Sequence, residues 1–327
     1  LDILEKLPWA NQIIESMLAF KVIGFQTRRD LRNFATCVRS LGLGRVHNWN
    51  DELVVNHEHG ISTAKAFPVS IDFEKFEKDA ASHEVEHLLE EMRTEYRGRK
   101  LVLGVDRLDY TKGIPERLRS FARAMELYPE LRKEVSLVQV VVPSREGIPK
   151  YMDLKMEVER LVSQINGRFT EAGWVPIHFL YRHLERAELL AYYRLADVAL
   201  ITPLKDGMNL VCKEYCAADI DEDGMLILSQ FAGAAADLAG EAIVVNPNDY
   251  DQVARQLSIA LTMGANERKG RMSCIRAQLR RCDVNHWIES FLAKCRDASG
   301  GTGLALPIDR HERYYVSHAG GTSKAQV

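Results

Sequence analysis

Arg107, Lys112, Arg145, Asp206 and Glu214 each sit where an apolar run gives way to a turn or a helix, and together they could handle a phosphorylated sugar. Arg107 and Lys112 lie on the stretch Asp106-Arg107-Leu108-Asp109-Tyr110-Thr111-Lys112-Gly113. Two fixed cations on one loop suit a diphosphate, above all a departing one, because neutralising charge that grows on a leaving group lowers the barrier. The plainer alternative is a structural salt bridge from Arg107 to Asp106 or Asp109. Arg145, in Pro143-Ser144-Arg145-Glu146-Gly147, is a candidate for a second anion or for a solvated side chain. The stretch 198–215 passes from an apolar run through the turn Asp206-Gly207 into a helix from about Asn209. It reads either as an ordinary strand–helix connection or as an anion site, since a helix start offers free N–H groups and the positive end of a dipole. In the second reading the amides of Gly207, Met208, Asn209 and Leu210 face a ligand. Asp206 then suits sugar hydroxyls, and Glu214, about a turn and a half into the helix, suits ribose hydroxyls. The small residues of Ser229-Gln230-Phe231-Ala232-Gly233-Ala234-Ala235 admit either a ligand or another backbone at close range. No P-loop, G-x-G-x-x-G or serine–histidine–acid spacing is present. The chemistry that fits is binding of a sugar nucleotide and expulsion of its diphosphate.

These positions depend on the elements around them. Apolar runs at 101–105, 135–142, 177–181, 198–202, 225–229 and 242–245 predict strands, and helical spacing separates them. Such alternation implies βαβ units and a parallel sheet, with ligands at the carboxyl ends of the strands. Upstream, a helix over about 9–20, a strand at 22–25, a helix at 30–41 and β-like runs near 53–56 and 61–69 read as the last part of an earlier domain. The expected organisation is 1–72, the C-terminal part of that domain; 73–99, a charged helical linker; 100–282, the nucleotide-sugar donor domain; 283–298, a C-terminal helix; and 299–327, a disordered tail.

The 327 residues, 46% hydrophobic and 27% charged, are those of a globular protein of about two domains. A net charge of −3 gives no reason to expect nucleic acid or an anionic membrane, and no apolar run is long enough to span one. Six scattered cysteines without a C-x-x-C pair read as reduced thiols in a cytoplasmic protein. His83-Glu84-Val85-Glu86-His87 spells H-E-x-x-H, which on a helix could bind zinc. The charged surroundings and the lack of a well-spaced third ligand favour a solvated helix, and no metal is expected. His57-Glu58-His59 is expected in a β-hairpin.

Val105-Asp106-Arg107-Leu108-Asp109-Tyr110-Thr111-Lys112-Gly113-Ile114-Pro115-Glu116-Arg117, the run 202–215 and Leu228-Ser229-Gln230-Phe231-Ala232-Gly233-Ala234 resemble the trehalose-6-phosphate synthases. Gly24-Phe25-Gln26-Thr27 and Ile165-Asn166-Gly167 fit the same family, and the resemblance spans about 1–297. It implies an α/β protein of GT-B type, with two Rossmann-like domains, the first incomplete in this chain, and with the C-terminal helix 283–298 crossing back to the first domain. It also implies transfer of glucose, with retention, from a nucleotide sugar such as UDP-glucose to glucose 6-phosphate. By position, Arg107 and Lys112 match the donor-diphosphate cations and Asp206 the residue on the donor glucose. Gly207, Met208, Asn209 and Leu210 match the loop whose amides meet sugar and phosphate. Glu214 matches the ribose-binding acid, and Arg145 a residue near the acceptor phosphate. Retention in this family is thought to need no protein nucleophile, the leaving phosphate helping to deprotonate the acceptor, and no metal or other cofactor. The implied partners are small-molecule substrates, with a homo-oligomer left open. Glucosylglycerol-phosphate synthases, which use glycerol 3-phosphate as acceptor, share the donor-side motifs. A non-catalytic sugar-phosphate-binding homologue is the alternative outside catalysis. The family's N-terminal acceptor contacts would precede Leu1, so the chain by itself is expected to be inactive.

Overall fold

The computed structural model describes residues 4–49, 51–96, 98–145 and 147–299; the expected tail, from residue 300 onward, lies outside the described residues. The first unit contains α1 (Ala10–Leu18), β1 (Val22–Phe25), α2 (Arg28–Ser40), β2 (Arg45–Trp49), β3 (Glu52–His57) and β4 (Gly60–Ala66). Its sheet has the order β1-β4-β3-β2, parallel between β1 and β4 and antiparallel elsewhere. Ile14, Leu18, Leu31, Phe34, Val38 and Val55 fill its core. Trp9 precedes α1 and Phe20 follows it, and both are more than half exposed, so the apolar face of that helix is narrower than its spacing suggests. Thr27 caps α2, accepting from the Asp30 N–H at 3.1 Å. His57 and Gly60 pair across the expected hairpin, with Glu58 and His59 in its turn.

Residues 73–99 are not a free linker. Two helices there, α3 (Phe73–Ala80) and α4 (His83–Tyr96), send Phe73, Val85, Met92 and Tyr96 into the same core as the second sheet. Only the outer face of α4 is charged, so the H-E-x-x-H spelling falls across its solvent side. His87 is exposed beside Glu91, while Glu86 accepts from Arg194 at 2.5 Å.

The second unit continues with β5 (Lys100–Arg107), α5 (Ile114–Leu127), β6 (Val135–Val142), α6 (Pro149–Phe169), β7 (Ile177–Leu180) and α7 (Arg186–Leu195). Then follow β8 (Val198–Ile201), α8 (Leu210–Ala218), β9 (Met225–Ser229), α9 (Ala235–Leu238), β10 (Ile243–Val245), α10 (Tyr250–Thr262), α11 (Ala265–Arg281) and α12 (Val284–Ala298). Every strand pairing is parallel, in the order β10-β9-β8-β5-β6-β7. The order reverses between β5 and β8, the position where doubly wound sheets open a crevice for ligands. Those two strands pair only at Val102–Val198 and Leu103–Ala199, so their carboxyl ends are free to diverge. Arg276, almost wholly buried, donates to the Cys216 and Ala217 carbonyls at the end of α8 and to Glu77 of α3. α12 returns to the first unit, where Trp287 donates to the Phe67 carbonyl at 3.0 Å and Phe291 meets the Phe67 ring edge-on.

Asp219, just after α8, is buried, and burial lifts its pKa from 3.8 to about 7, with nearby Asp223 adding to the rise. The folded state therefore holds its proton more tightly than the unfolded chain does, and stability at this site is lost as pH rises between the two values. Asp219→Asn, which keeps an acceptor for the Gly224 N–H, should gain stability relative to wild type between pH 5 and pH 8, inside and above the window from 3.8 to about 7. Urea midpoints at the two pH values check this; a constant gap between the proteins would contradict it.

Candidate functional site

The loops after β5 and β8 are laced together. Asp109 accepts from the Thr111 N–H and hydroxyl at 2.9 and 2.8 Å, closing a short turn over Tyr110–Lys112. Burial works against the Asp109 charge, but these bonds and one from the Tyr151 hydroxyl keep its pKa below the usual carboxylate value. Gly113 follows with φ +64°, a region costly for other residues, and a Cβ there would lie 2.5 Å from the Thr202 carbonyl oxygen. The Thr111 carbonyl accepts from the N–H groups of Leu204 and Lys205, across the switch point. Lys112 thereby reaches Asp206, its Nζ donating to Oδ2 at 2.6 Å, with both side chains largely buried.

Asp206 also accepts from the side-chain amide of Asn209 at 3.1 Å. Asn209 is buried at φ +76°, an unusual conformation that asparagine tolerates better than most residues. Its Oδ1 caps α8 by accepting from the Cys212 N–H at 3.0 Å. Leu210 and Val211 precede the first intrahelical bond, so their N–H groups are open to a ligand. Asparagine ahead of a helical run is a capping signal, and it could have assigned this side chain its part from sequence. Glu214 lies one turn further along α8, its Oε2 accepting from the Tyr193 hydroxyl at 3.1 Å. Burial raises the Glu214 pKa above the usual carboxylate value, with the Tyr193 bond opposing the shift. No local signal marks Tyr193, because its contact is made between α7 and α8.

Arg107 ends β5 with its side chain exposed, and among the described residues it has no hydrogen bond or ion pair. Its alternative partners are engaged elsewhere: Asp106 is buried against Arg117, and Asp109 is held as above. Arg145 follows β6 with φ +51° and donates to the Tyr151 hydroxyl at 2.9 Å, and that hydroxyl donates to Asp109 at 3.4 Å. Tyr151 thus ties the second basic loop to the first. The small-residue loop after β9 accommodates another backbone: Asp206 and Phe231 are hydrogen-bonded, the Gly233 N–H donates to the Asp206 carbonyl, and the Ala234 N–H donates to Met208. Behind that loop a cavity of about 570 Å³ opens between the units, lined by Gln26, Thr27, Arg29 and Arg32 on one side and Gln230 and Gly233 on the other.

The geometry thus assembles Lys112, Asp206 and Asn209 into one bonded cluster, with Arg107 on the same loop as Lys112. Arg145 joins through Tyr151, and Glu214 stands one helical turn away. Among the described residues no group of three or more His, Cys, Asp or Glu side chains could hold a metal ion, and no helix is long and apolar enough to cross a membrane.

Comparison with known proteins gives a consistent picture. The trehalose-6-phosphate synthase of Mycobacterium leprae (strain TN) is 40% identical over 311 residues, covering 91% of this chain and 62% of the relative. The E. coli enzyme described as trehalose-6-phosphate bound with UDP-2-fluoro glucose superposes with a TM-score of 0.85 at 34% identity, covering 90% of this chain and 64% of that one. A UDP-forming α,α-trehalose-phosphate synthase from Burkholderia xenovorans, in complex with glucose-6-phosphate, gives 0.84 at 37% identity, covering 91% and 65%. The chain therefore spans just under two thirds of these proteins, and it shares their GT-B architecture. The family model described as "Glycosyltransferase family 20" matches residues 1–297, which takes in both sheets and every loop of the site, and the chain belongs to that family.

Proposed function

We propose that the protein carrying this chain is a retaining glucosyltransferase that moves glucose from UDP-glucose to glucose 6-phosphate, giving trehalose 6-phosphate. The observation that carries this reading is the Lys112–Asp206–Asn209 cluster at the switch point of a parallel sheet, with the unpaired Arg107 beside it. Support comes also from the named relatives, one bound to a UDP-glucose analogue and one to glucose 6-phosphate.

In this reading Arg107 and Lys112 bind the donor diphosphate. Lysine has three donor hydrogens, so Lys112 can serve a phosphate oxygen while still holding Asp206. Asp206 accepts from the glucose hydroxyls, and the amides of Gly207, Met208, Asn209 and Leu210 meet sugar and phosphate at the head of α8. Glu214, set by Tyr193, takes the ribose hydroxyls, and Arg145 takes the acceptor phosphate. Charge grows on the leaving diphosphate as the glucosyl C–O bond breaks, and the two cations stabilise it. A leaving-phosphate oxygen accepts the proton of the attacking acceptor hydroxyl. The new bond forms on the face the diphosphate leaves, so configuration is retained without a protein nucleophile. Positive charge comes from side chains here, and no metal is called on. Six free cysteines fit a cytoplasmic setting.

The test is glucosyl transfer by the protein that carries the chain, with UDP-, ADP- and GDP-glucose against glucose 6-phosphate and glycerol 3-phosphate. Trehalose 6-phosphate from UDP-glucose is expected, and Arg107→Ala should lower kcat/KM by about a hundredfold or more with the fold retained. Transfer only to glycerol 3-phosphate would refute the acceptor, and near-normal activity in Arg107→Ala would refute the diphosphate site.

A further inference from the structure

Lys213 is a buried cation with an unusual place in the chain. It follows the first turn of α8 and precedes Glu214, yet its side chain is only 3% exposed. Its Nζ donates to the backbone carbonyl of Val69 at 2.9 Å. Val69 belongs to the segment 67–72, which leaves β4 of the first sheet and enters α3 of the second unit. A carbonyl supplies no countercharge, and burial pushes the Lys213 pKa below its usual value, with Asp237 pulling the other way. A buried cation that no carboxylate touches is a costly way to make one hydrogen bond, and a neutral donor would hold a carbonyl at less expense.

The surroundings suggest what the bond connects. The carbonyls of Phe67, Val69 and Ile71 accept in turn from the Trp287 indole N–H, the Lys213 ammonium and the Val284 N–H. Trp287 and Val284 belong to the returning helix α12, whereas Lys213 belongs to the helix that carries the candidate donor site. On its other side the Val69 N–H donates to Gln26 Oε1 at 2.9 Å, just after β1 of the first unit. Val69 is therefore bonded to the first unit through its N–H and to α8 through its carbonyl. Both connections between the units meet here, since the Val284 N–H joins the second crossing to the first at Ile71 at 2.9 Å. Among the hydrogen bonds of the described residues, Lys213–Val69 is the one that ties α8 to the crossing.

We infer that Lys213 is a positioning residue that sets the angle between the two units by the position of α8, and with it the loop 206–209 and Glu214. The candidate donor-binding residues Arg107, Lys112, Asp206 and Glu214 all belong to the second unit, so on the proposed reading nucleotide binding would survive a change of angle that transfer would not. The inference rests on the glucosyl-transfer reading for the transfer assay and for UDP as the ligand.

The test uses Lys213→Met, which keeps the unbranched apolar stem without its charge, and Lys213→Arg, which can still reach a carbonyl. Lys213→Met should unfold cooperatively and bind UDP within about threefold of wild type, while kcat for transfer falls about tenfold, the cost of a small misplacement at a distance from the chemistry. Lys213→Arg should recover most of that loss. Small-angle scattering supplies an arm independent of activity: UDP should change the profile of the wild type and leave that of Lys213→Met nearly unchanged. A folded Lys213→Met with wild-type kcat overturns the inference. So does the same UDP-induced change in both proteins, or a loss of UDP affinity as large as the loss of kcat, which would make Lys213 a local support for α8. If the wild type neither transfers glucose nor binds UDP, the functional reading fails; the ligand-free scattering profiles, expected to differ between wild type and Lys213→Met and coinciding if Lys213 sets no angle, then decide the role of Lys213.

Discussion

Asp206→Ala should lower kcat/KM for glucosyl transfer by about a thousandfold while the protein remains folded. Three features concentrate the effect at this residue. The carboxylate is largely buried, so its hydrogen bonds work in a poorly screened setting. It holds Lys112 at 2.6 Å, so its loss frees the cation proposed to face phosphate oxygens. It also accepts from the Asn209 side chain, which fixes a left-handed residue at the head of α8. On the proposed reading, one substitution thus removes the contact to glucose hydroxyls, unsettles a diphosphate ligand and loosens the loop whose amides line the site. Asp206→Asn separates these effects: it retains shape but gives up the charge that orients Lys112, and it should fall between wild type and Asp206→Ala. Steady-state kinetics with both substrates varied, beside thermal unfolding, provide the measurement. An Asp206→Ala protein within about tenfold of wild type would show that this carboxylate does not touch the transition state.

Gly233→Ala carries the second large effect, for a steric reason. A Cβ at 233 would overlap the Gly207 carbonyl oxygen, and would stand 2.7 Å from the Gly207 carbonyl carbon and 3.0 Å from Met208 Cα. All these atoms are backbone, so no flexible side chain can give way. The Gly233 N–H and the Ala234 N–H bond back to Asp206 and Met208, so a shift of one loop drags the other. The expected cost is about 3 kcal/mol of stability, in the range of severe overpacking, or about 6–12 °C in Tm for a domain of this size. Because the displaced segment holds Asp206, kcat should fall by about a hundredfold or more even well below Tm. Wild-type kcat in a folded Gly233→Ala protein would mean that the loop after β8 can move without consequence.

Legibility from sequence differed between regions for physical reasons. β6 and β9 are buried on both faces, so Val135–Val142 is apolar but for Ser136 and Gln139, Met225–Leu228 is apolar throughout, and their limits are plain. β2 escaped notice because it pairs with β3 alone, at the edge of its sheet, and its run Arg45-Val46-His47-Asn48-Trp49 has only two apolar residues, out of step with strand alternation. Residues 73–99 read as a linker because their charge is conspicuous, whereas Val85, Leu89, Met92 and Tyr96 are a sparse stripe that only the packing reveals. At the candidate site, Arg107, Lys112, Arg145 and Asp206 were accessible because each lies at or just beyond the carboxyl end of a strand of a parallel sheet. Tyr151 and Tyr193 were not: each acts through a partner far away in sequence, Asp109 and Glu214 respectively, brought close only by the fold.

The ladder of carbonyls at Phe67, Val69 and Ile71 bears on how this chain can vary among its relatives. Their spacing of two is that of extended backbone, in which successive carbonyls point to opposite sides. Insertion of a single residue between 67 and 71 would turn part of the row away from Trp287, Lys213 and Val284 and leave donors, the buried Lys213 among them, without acceptors. A two-residue insertion would restore the direction but displace one unit against the other by about 7 Å. The crossing should therefore tolerate substitution of its side chains and resist changes of length, so that insertions and deletions among homologues fall in the loops on either side of it and spare 67–71 itself.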